Sequence, residues 1–254
     1  MNKRPRILIL GCGWVGYPLA LTCKNEGYSL NVSTTQTKKL AILRAAQLNP
    51  FLLSLPCNET SDLLNHMAQA DIIVITLPFK RKKGFEKIYI KQIRNITQLL
   101  PASTRPWLIF TSSTSIYKKT NRLVTESDAI DTDSERAKIL HQVENTLLQH
   151  PHSDTTIVRL AGLYGYDRSL RQHYHTIKKT DYDQPLNLIH RDDAVNILLT
   201  IITQNKRNAL FNAVCPHHPL KTPSKPSNFK LVCHKKLVKE LNYQFMHPHV
   251  SNSH

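Results

Sequence analysis

Short apolar runs alternate with stretches of helical periodicity along most of the chain. The runs are four to eight residues long and rich in Ile, Leu and Val, as in strands that are buried on both faces. We therefore predict strands at residues 6–10, 29–33, 51–55, 71–78, 107–110, 155–160 and 209–214.

The stretches between the runs carry apolar residues three or four positions apart, the spacing of one buried helix face. They predict a first helix that ends at Gly27 and helices at residues 37–47, 61–70 and 85–100. A fifth helix runs from about residue 132 to Pro151, a sixth begins near Asp192, and a short one contains Leu237. The spacing Thr132-x-x-Glu135 is that of a capping box, which predicts the start of the fifth helix. The predicted inward positions include Leu64, Ile88 and Leu199.

Strands that alternate with helices predict an α/β fold built on a doubly wound, mostly parallel sheet with right-handed crossovers. The 254 residues suffice for one large domain with small additions. We expect a dinucleotide-binding core at residues 1–165, completed by about 186–215. Residues 166–185 and 216–254 would form small substrate-side and C-terminal segments.

The first strand, the glycine motif and the first helix follow one another directly. The motif is Gly-x-Gly-x-x-Gly, formed by Gly11, Gly13 and Gly16 with Trp14 and Val15 between them. In this context Gly11 permits a tight turn, Gly13 admits a pyrophosphate and Gly16 lets the helix approach the strand. The first helical amides would then face the phosphates. This order favours a dinucleotide site over a turn without a ligand.

Two neighbouring strand ends add candidate cofactor contacts. The acid that holds the ribose hydroxyls of NAD, about 20 residues beyond the glycines, is missing between Leu30 and Asn49. Hydroxyl and basic residues stand there instead, and they would suit the 2′-phosphate of NADP: Ser33, Thr34, Thr35 and Lys38. Lys38 and Lys39 could also simply begin an exposed helix. At the end of the fourth strand we expect Thr76, Leu77 and Pro78 beside the glycine turn.

Composition narrows the choice of function. The chain is 41% hydrophobic, without a window that could span a bilayer or serve as a signal peptide, and we expect a cytoplasmic protein. Its five cysteines are scattered, so we expect no disulfide framework. No carboxylate or cysteine lies near the paired histidines at metal-ligand spacing, so we expect no metal site. The net charge of +16 is densest at residues 80–83 and suits an anionic cofactor or substrate, or nucleic acid.

Four segments in order resemble the short-chain dehydrogenase/reductase superfamily, in its extended and atypical branches (the NAD-dependent epimerase/dehydratase group). They are the glycine motif, Thr-Ser-Ser-Thr-Ser-Ile-Tyr at residues 111–117, Arg-Leu-Ala-Gly-Leu-Tyr-Gly at 159–165 and Leu-Ile-His-Arg-Asp-Asp at 188–193. The resemblance implies an NAD(P)-binding fold and a role for Ser113 in holding a substrate oxygen. It also places Gly162 near the nicotinamide, and it makes His190 and Asp193 mainly structural.

One element of that family is missing. Active members carry Tyr-x-x-x-Lys at the start of the helix after the serine segment, where the tyrosine moves the proton. No tyrosine lies between Tyr117 and Tyr164. One alignment of the helix puts Arg136 and Leu140 at this pair, and another puts Ser134 and Lys138 there. Tyr117 and Tyr164 are the alternative phenols, and each could instead be a packing residue.

Three hypotheses follow. The first is an NAD(P)-dependent oxidoreductase or epimerase/dehydratase acting on a sugar nucleotide or another small anion, with Ser113 and Tyr117 as candidate catalytic residues. The second is a cofactor-binding or regulatory protein without catalysis. The third is a basic nucleic-acid-binding protein, for which aromatic residues interleaved with base-reading groups are not evident. The sequence leaves the oligomeric state open, with a homodimer among the alternatives.

Overall fold

The fold was examined in a computed structural model that describes residues 4–57, 61–80, 84–169, 185–219 and 228–250. Within them a seven-stranded, mostly parallel sheet has the order β3-β2-β1-β4-β5-β7-β10. Its strands are β1 (Arg6–Leu10), β2 (Ser29–Thr34), β3 (Asn49–Leu52), β4 (Ile72–Ile75), β5 (Trp107–Ser113), β7 (Thr155–Leu160) and β10 (Leu210–Ala213). The predicted α/β, doubly wound fold is confirmed.

Seven α-helices occur in the described residues. They are α1 (Gly16–Asn25), α2 (Thr37–Ala45), α3 (Ser61–Gln69), α4 (Phe85–Gln98), α5 (Glu135–Leu148), α6 (Arg191–Thr203) and α7 (Lys235–Leu241). None of the helices in the described ranges is long and apolar enough to cross a membrane.

The chain separates into two compact units. The first comprises Met1–Thr111, Gln142–Ile157 and Asn205–Ala209, and the second comprises Ser112–His141, Val158–Gln204 and Leu210–His254. The predicted division at residue 165 into a core and smaller segments stays a prediction. Most of residues 166–185, part of 216–254 and residues 81–83 of the basic run lie outside the described ranges.

In the first unit, β1 lies inside the sheet between two neighbouring strands. It pairs in parallel with β2 on one side, where Ile7 lies opposite Leu30, and with β4 on the other, where Ile7 lies opposite Ile72. All four residues of β4 are buried, which explains its unbroken β-branched and apolar sequence. The strand order reverses between β1 and β4, and this is the switch point where open parallel sheets bind ligands.

The second unit adds two small parallel sheets. One pairs β6 (Leu123–Val124) with β11 (Leu231–Val232), and the other pairs β8 (Gly162–Tyr164) with β9 (Leu188–His190). Strands of two or three residues are too short to show a period of two, so the sequence did not predict β6 and β11.

Several predicted details were wrong. The third strand begins at Asn49 rather than residue 51, because Val32 and Ser33 of β2 lie opposite Pro50 and Phe51; proline is tolerated there since β3 is an edge strand. The side chains of Leu64 and Ile88 are 40% and 43% exposed, because the buried faces of their helices are narrower than the apolar pattern. α5 begins at Glu135, and Ser134, rather than Thr132, accepts a hydrogen bond from the amide of Ala137 at 3.4 Å.

Candidate functional site

The turn between β1 and α1 requires glycine at two positions for reasons internal to the fold. Gly11 has φ +105°, in the region that side chains disfavour. A Cβ on Gly16 would lie 2.3 Å from the carbonyl oxygen of Gly11 and 2.8 Å from Thr76 Oγ1. The start of α1 therefore packs directly against the turn, and no larger residue fits at its first position.

Two hydroxyls hold the backbone of this turn. Ser33 Oγ accepts a hydrogen bond from the amide of Gly11 at 3.0 Å, and the carbonyl of Ser33 accepts from the amide of Cys12 at 2.8 Å. From β4, Thr76 Oγ1 donates to the carbonyl of Gly11 at 2.7 Å. Both residues were predicted to bind cofactor, which stays a prediction; the contacts of their hydroxyls fix the shape of the turn.

Gly13 differs from the other two glycines. Its φ lies outside the left-handed region, and a Cβ built on it would meet protein only at 3.9 Å, at the carbonyl oxygen of Gly11. The folded chain would therefore accept a side chain here. Because glycine has no side chain, the space next to the backbone of residue 13 stays open, and a ligand can approach the backbone there.

The neighbours of Gly13 complete the start of α1. Val15 is buried and Trp14 is half-buried, and α1 has no acidic residue in its first turn. The positive end of the helix dipole is therefore not compensated by a carboxylate of its own first turn, which suits an anion.

At the end of β2 the predicted 2′-phosphate contacts divide into buried and exposed residues. Thr34 is buried, and its Oγ1 accepts from the amide of Gln36 at 3.2 Å. Thr35 and Lys38 are exposed, whereas Lys39 is half-buried. Burial raises the pKa of the Cys12 thiol to about 11, and the positive charge of Lys39 acts in the opposite direction. Lys39 is thus close enough to the glycine turn for its charge to act on the Cys12 thiol.

The end of β4 is built from packing contacts. The carbonyl of Leu77 accepts a hydrogen bond from Tyr89 Oη at 3.4 Å, and the ring of Phe79 stacks on Tyr89 with centroids 4.7 Å apart. Leu77 is half-buried and Pro78 is exposed. These residues support the strand end that carries Thr76.

In the second unit, Ser113 begins a short chain of polar contacts. Its Oγ accepts from the amide of Ser115 at 3.2 Å and lies 2.9 Å from Ser115 Oγ. Ser115 Oγ in turn accepts from Arg136 Nε of α5 at 3.3 Å. All three residues are half-buried. The guanidinium of Arg136 therefore contacts a pair of hydroxyls at a partly exposed surface.

The residues that the two alignments place at the start of α5 differ in their surroundings. Arg136 is half-buried and contacts the serine segment, and Leu140 is only 1% exposed. Ser134 caps the helix and Lys138 is exposed. Arg136 and Leu140 therefore face inward and Lys138 does not; that Arg136 and Leu140 match the tyrosine and lysine of the resembled family stays a prediction.

Tyr117, the second candidate catalytic residue, is only 1% exposed. Its hydroxyl donates to Asn212 Oδ1 at 2.8 Å and accepts from Arg159 Nη1 at 2.6 Å. The backbone amide of Asn212 donates a hydrogen bond to Glu126 Oε1 at 2.8 Å. Burial raises the pKa of Tyr117, against the lowering effect of Arg159. A buried phenol with two partners favours a structural role.

The segment around Gly162 is also mainly structural in its contacts. The amide of Gly162 donates to the carbonyl of Asn187 at 2.9 Å, which joins β8 to the chain before β9. Tyr164, the other alternative phenol, is 2% exposed, and burial raises its pKa. Gly165 has φ +112°, and its backbone lies against the ring of His190.

Asp193 has a role that the sequence did not predict. It is fully buried and accepts from Tyr243 Oη at 2.8 Å, the amide of Met246 at 2.8 Å and the amide of His247 at 3.0 Å. The start of α6 thus anchors the C-terminal segment, which in the sequence is merely polar and rich in histidine.

Comparison with known proteins agrees with this architecture. A short-chain dehydrogenase/reductase superfamily protein of Agrobacterium tumefaciens with bound NAD superposes with a TM-score of 0.74 at 11% identity, over 94% of this chain and 92% of that one. The fold is that of the short-chain dehydrogenases/reductases. MoeE5 in complex with UDP-glucose and NAD matches with a TM-score of 0.71 at 12% identity, over 94% and 92% of the two chains.

A relative from Escherichia coli strain K12, protein YeeZ, is 28% identical over 231 residues, which are 89% of this chain and 84% of that protein. No family model matches the chain. Similarity to solved structures at this level of identity establishes the fold, and the activity has to be argued from the residues of the site.

Proposed function

We propose that the chain is an atypical member of the short-chain dehydrogenase/reductase superfamily that binds NAD or NADP at the β1–α1 turn. The observation that carries the proposal is Gly13: the protein has room for a side chain at this position, and the position is bare. The turn, the helix end and the bracing hydroxyls of Ser33 and Thr76 fit a dinucleotide. When bound, its nicotinamide supplies reversible hydride transfer.

The matched experiment is calorimetric titration of the wild type and Gly13→Ala with NADPH and NADH. Since the added methyl meets no protein atom closer than 3.9 Å, Gly13→Ala should keep the wild-type melting temperature. It should weaken dinucleotide binding by about 5- to 150-fold, the equivalent of about 1–3 kcal/mol of steric overlap. Equal affinity of the two proteins, or no heat from the wild type with either nucleotide, would contradict the proposal.

A preference for NADP over NAD rests on the residues after β2. The half-buried Lys39, whose charge reaches Cys12, and the missing ribose-binding acid favour a 2′-phosphate. The NAD bound in the two solved relatives is a property of those proteins.

Charge reversal at basic residues of α2 tests this preference. Lys39→Glu should lower NADPH affinity about 10-fold or more and leave NADH affinity much less affected, because it places a carboxylate where a phosphate would bind. Arg44→Glu is the control, since Arg44 is exposed and lies in the last turn of the same helix. Fluorescence titration that gives equal losses for both variants, or tighter NADH than NADPH binding by the wild type, would remove the preference.

For the substrate side we propose a small anion of the sugar-nucleotide class, with Ser113 holding a substrate oxygen. Ser113, Ser115 and Arg136 offer hydroxyl donors backed by a guanidinium, a combination suited to phosphate or carboxylate. Arginine stays protonated at neutral pH, so Arg136 can stabilise negative charge but cannot deliver a proton as tyrosine does. In this proposal the proton is moved by a group other than residue 136.

Arg136→Ala should weaken binding of UDP-glucose, used as the probe, by about 10-fold or more, as expected for the loss of a charge-assisted hydrogen bond of about 1.5–3 kcal/mol. Lys138→Ala is the control on the same helix, because Lys138 is exposed. If both variants bind the probe as the wild type does, Arg136 is not part of a substrate site.

A second candidate is a cofactor-binding protein without catalysis, and the Arg136 and Leu140 pair favours it because neither residue can replace tyrosine and lysine. Turnover of a sugar nucleotide that is abolished by Ser113→Ala would exclude this alternative. A protein that binds NADPH but turns over no carbonyl or sugar-nucleotide substrate would support it.

Three further expectations stay predictions. All five cysteines are free, as in the reduced cytoplasm that we propose as the location. A homodimer is testable by light scattering. Nucleic-acid binding driven by the net charge of +16 would require retention of nucleic acid that weakens steeply with salt.

A further inference from the structure

Three possible metal ligands lie together at the start of α6, in the second unit. His190, Asp192 and His247 each offer one ligand atom, and these atoms are within 4.8 Å of one another. His190 Nδ1 and His247 Nε2 are 3.6 Å and 3.7 Å from Asp192 Oδ2. The two imidazole rings are 3.7 Å apart between centroids. Both nitrogens lie near the same carboxylate oxygen, and His190 Nδ1 also accepts the hydrogen bond of the Asp192 backbone amide at 3.3 Å that caps α6, a bond that a bound ion would replace.

The fold holds these groups in place by contacts that do not involve the cluster itself. His190 ends β9, and its ring lies against the backbone of Gly165, where a Cβ would come within 2.4 Å of His190 Nε2. The amide of His247 is bound by the buried carboxylate of Asp193, and its carbonyl accepts from Cys215 Sγ at 3.3 Å. The backbone on both sides of the cluster is therefore fixed before any ion binds.

We propose that this cluster is a zinc site formed by two imidazole nitrogens and one carboxylate oxygen, in place of the absence of a metal site that the spacing of the paired histidines led us to expect. Imidazole ligands favour Zn²⁺ and similar transition metals over Mg²⁺ or Ca²⁺. In a tetrahedral site with bonds of about 2.0–2.2 Å, ligand atoms lie about 3.3–3.6 Å apart. The separations of 3.6 Å and 3.7 Å from the carboxylate oxygen are close to this range. The two nitrogens lie within 4.8 Å of each other, and the imidazole rings, with centroids 3.7 Å apart, would have to turn so that both nitrogens point at one ion.

The fourth position belongs to water or to the Tyr166 phenol, which donates to both oxygens of Asp192 at 3.0 Å. The guanidinium of Arg191 lies 3.6 Å from the centroid of the Tyr166 ring and opposes a cation. The negative charge of Asp192 counters that repulsion. A single carboxylate between two imidazoles remains a sufficient donor set for one divalent ion.

Bound zinc would fasten residues 242–250 to the start of α6. His247 and His190 are 57 positions apart in the sequence, so one ion would close a long loop and stabilise the folded chain relative to the unfolded one. The site is independent of the dinucleotide proposal, because none of its ligands belongs to the glycine turn or to the Ser113 group.

The test is a titration of chelator-treated, full-length protein with Zn²⁺ in competition with a coloured indicator. Cobalt absorption serves as a second readout of four-coordinate geometry. His247→Ala should lower the affinity for Zn²⁺ about 10-fold or more and abolish the increase in melting temperature that zinc causes. Asp192→Asn should reduce both effects in part. The control is His249→Ala, which removes an exposed histidine that pairs with His217 at a centroid distance of 5.8 Å.

The expected result is one tight equivalent in the wild type and in His249→Ala, and its loss in His247→Ala. If His247→Ala and His249→Ala bind zinc equally well, or if the wild type binds only with the weak, multiple affinities of surface histidines, the proposal is overturned. If His247→Ala does not fold, Asp192→Asn with the cobalt spectrum decides the question.

Discussion

Replacing Gly16 with alanine is expected to destabilise the protein by about 3 kcal/mol or more, since overpacking against backbone is among the costly single changes. The new Cβ would lie 2.3 Å from the carbonyl oxygen of Gly11, which is a backbone atom and cannot rotate away. The chain must move α1 away from β1 to relieve the overlap. Urea denaturation monitored by circular dichroism measures the effect.

Gly13→Ala is the matched control for that experiment, because the same methyl group three residues earlier lies no closer than 3.9 Å to another residue, at the carbonyl oxygen of Gly11. We expect it to unfold at the wild-type urea concentration. If Gly16→Ala were as stable as Gly13→Ala, the close contact of α1 with the turn would not exist in the folded protein.

Replacing Asp193 with alanine should have the second large effect, a loss of about 3–5 kcal/mol in the free energy of unfolding. The change leaves the buried Tyr243 Oη and the partly buried backbone amides of Met246 and His247 without the carboxylate as acceptor, and a buried donor without a partner costs about 1–3 kcal/mol. Limited proteolysis should then cut the C-terminal segment first. Denaturation curves measure the stability directly.

Asp133→Ala provides the comparison. The Asp133 side chain is 77% exposed, and its ion pair with Lys118 lies at the surface, where such pairs contribute little. We expect only a small change in the free energy of unfolding, because solvent screens this pair. A similar small change for Asp193→Ala would mean that the C-terminal segment is not anchored at α6.

The order of the helices and strands could be predicted because two local features of the sequence indicate the same fold. Buried parallel strands such as β4 are continuous apolar runs, and the glycine turn has a fixed position between β1 and α1. The edge strand β3 was placed two residues late, because its start depends on pairing with β2 rather than on its own pattern. Exact helix starts, such as that of α5, depend on which hydroxyl caps the first turn.

The candidate site was less predictable, because its geometry depends on contacts between distant residues. Tyr117 could not be assigned to the interior from its own segment, since Arg159 and Asn212, both distant in sequence, hold its hydroxyl. The assignment of Arg136 to the inward position depended on its contact with Ser115. His190 and His247 lie together where Asp193 and Cys215 bind the backbone of the C-terminal segment.

The most direct test of the central claim is a nuclear magnetic resonance spectrum of protein labelled with ¹⁵N only in glycine. The chain has seven glycines, so at most seven amide signals need assignment by substitution. NADPH at saturation should shift the signals of Gly11, Gly13 and Gly16 and leave that of Gly27, at the other end of α1, nearly unchanged. Signals of the three turn glycines that do not move with either NADPH or NADH would contradict the account.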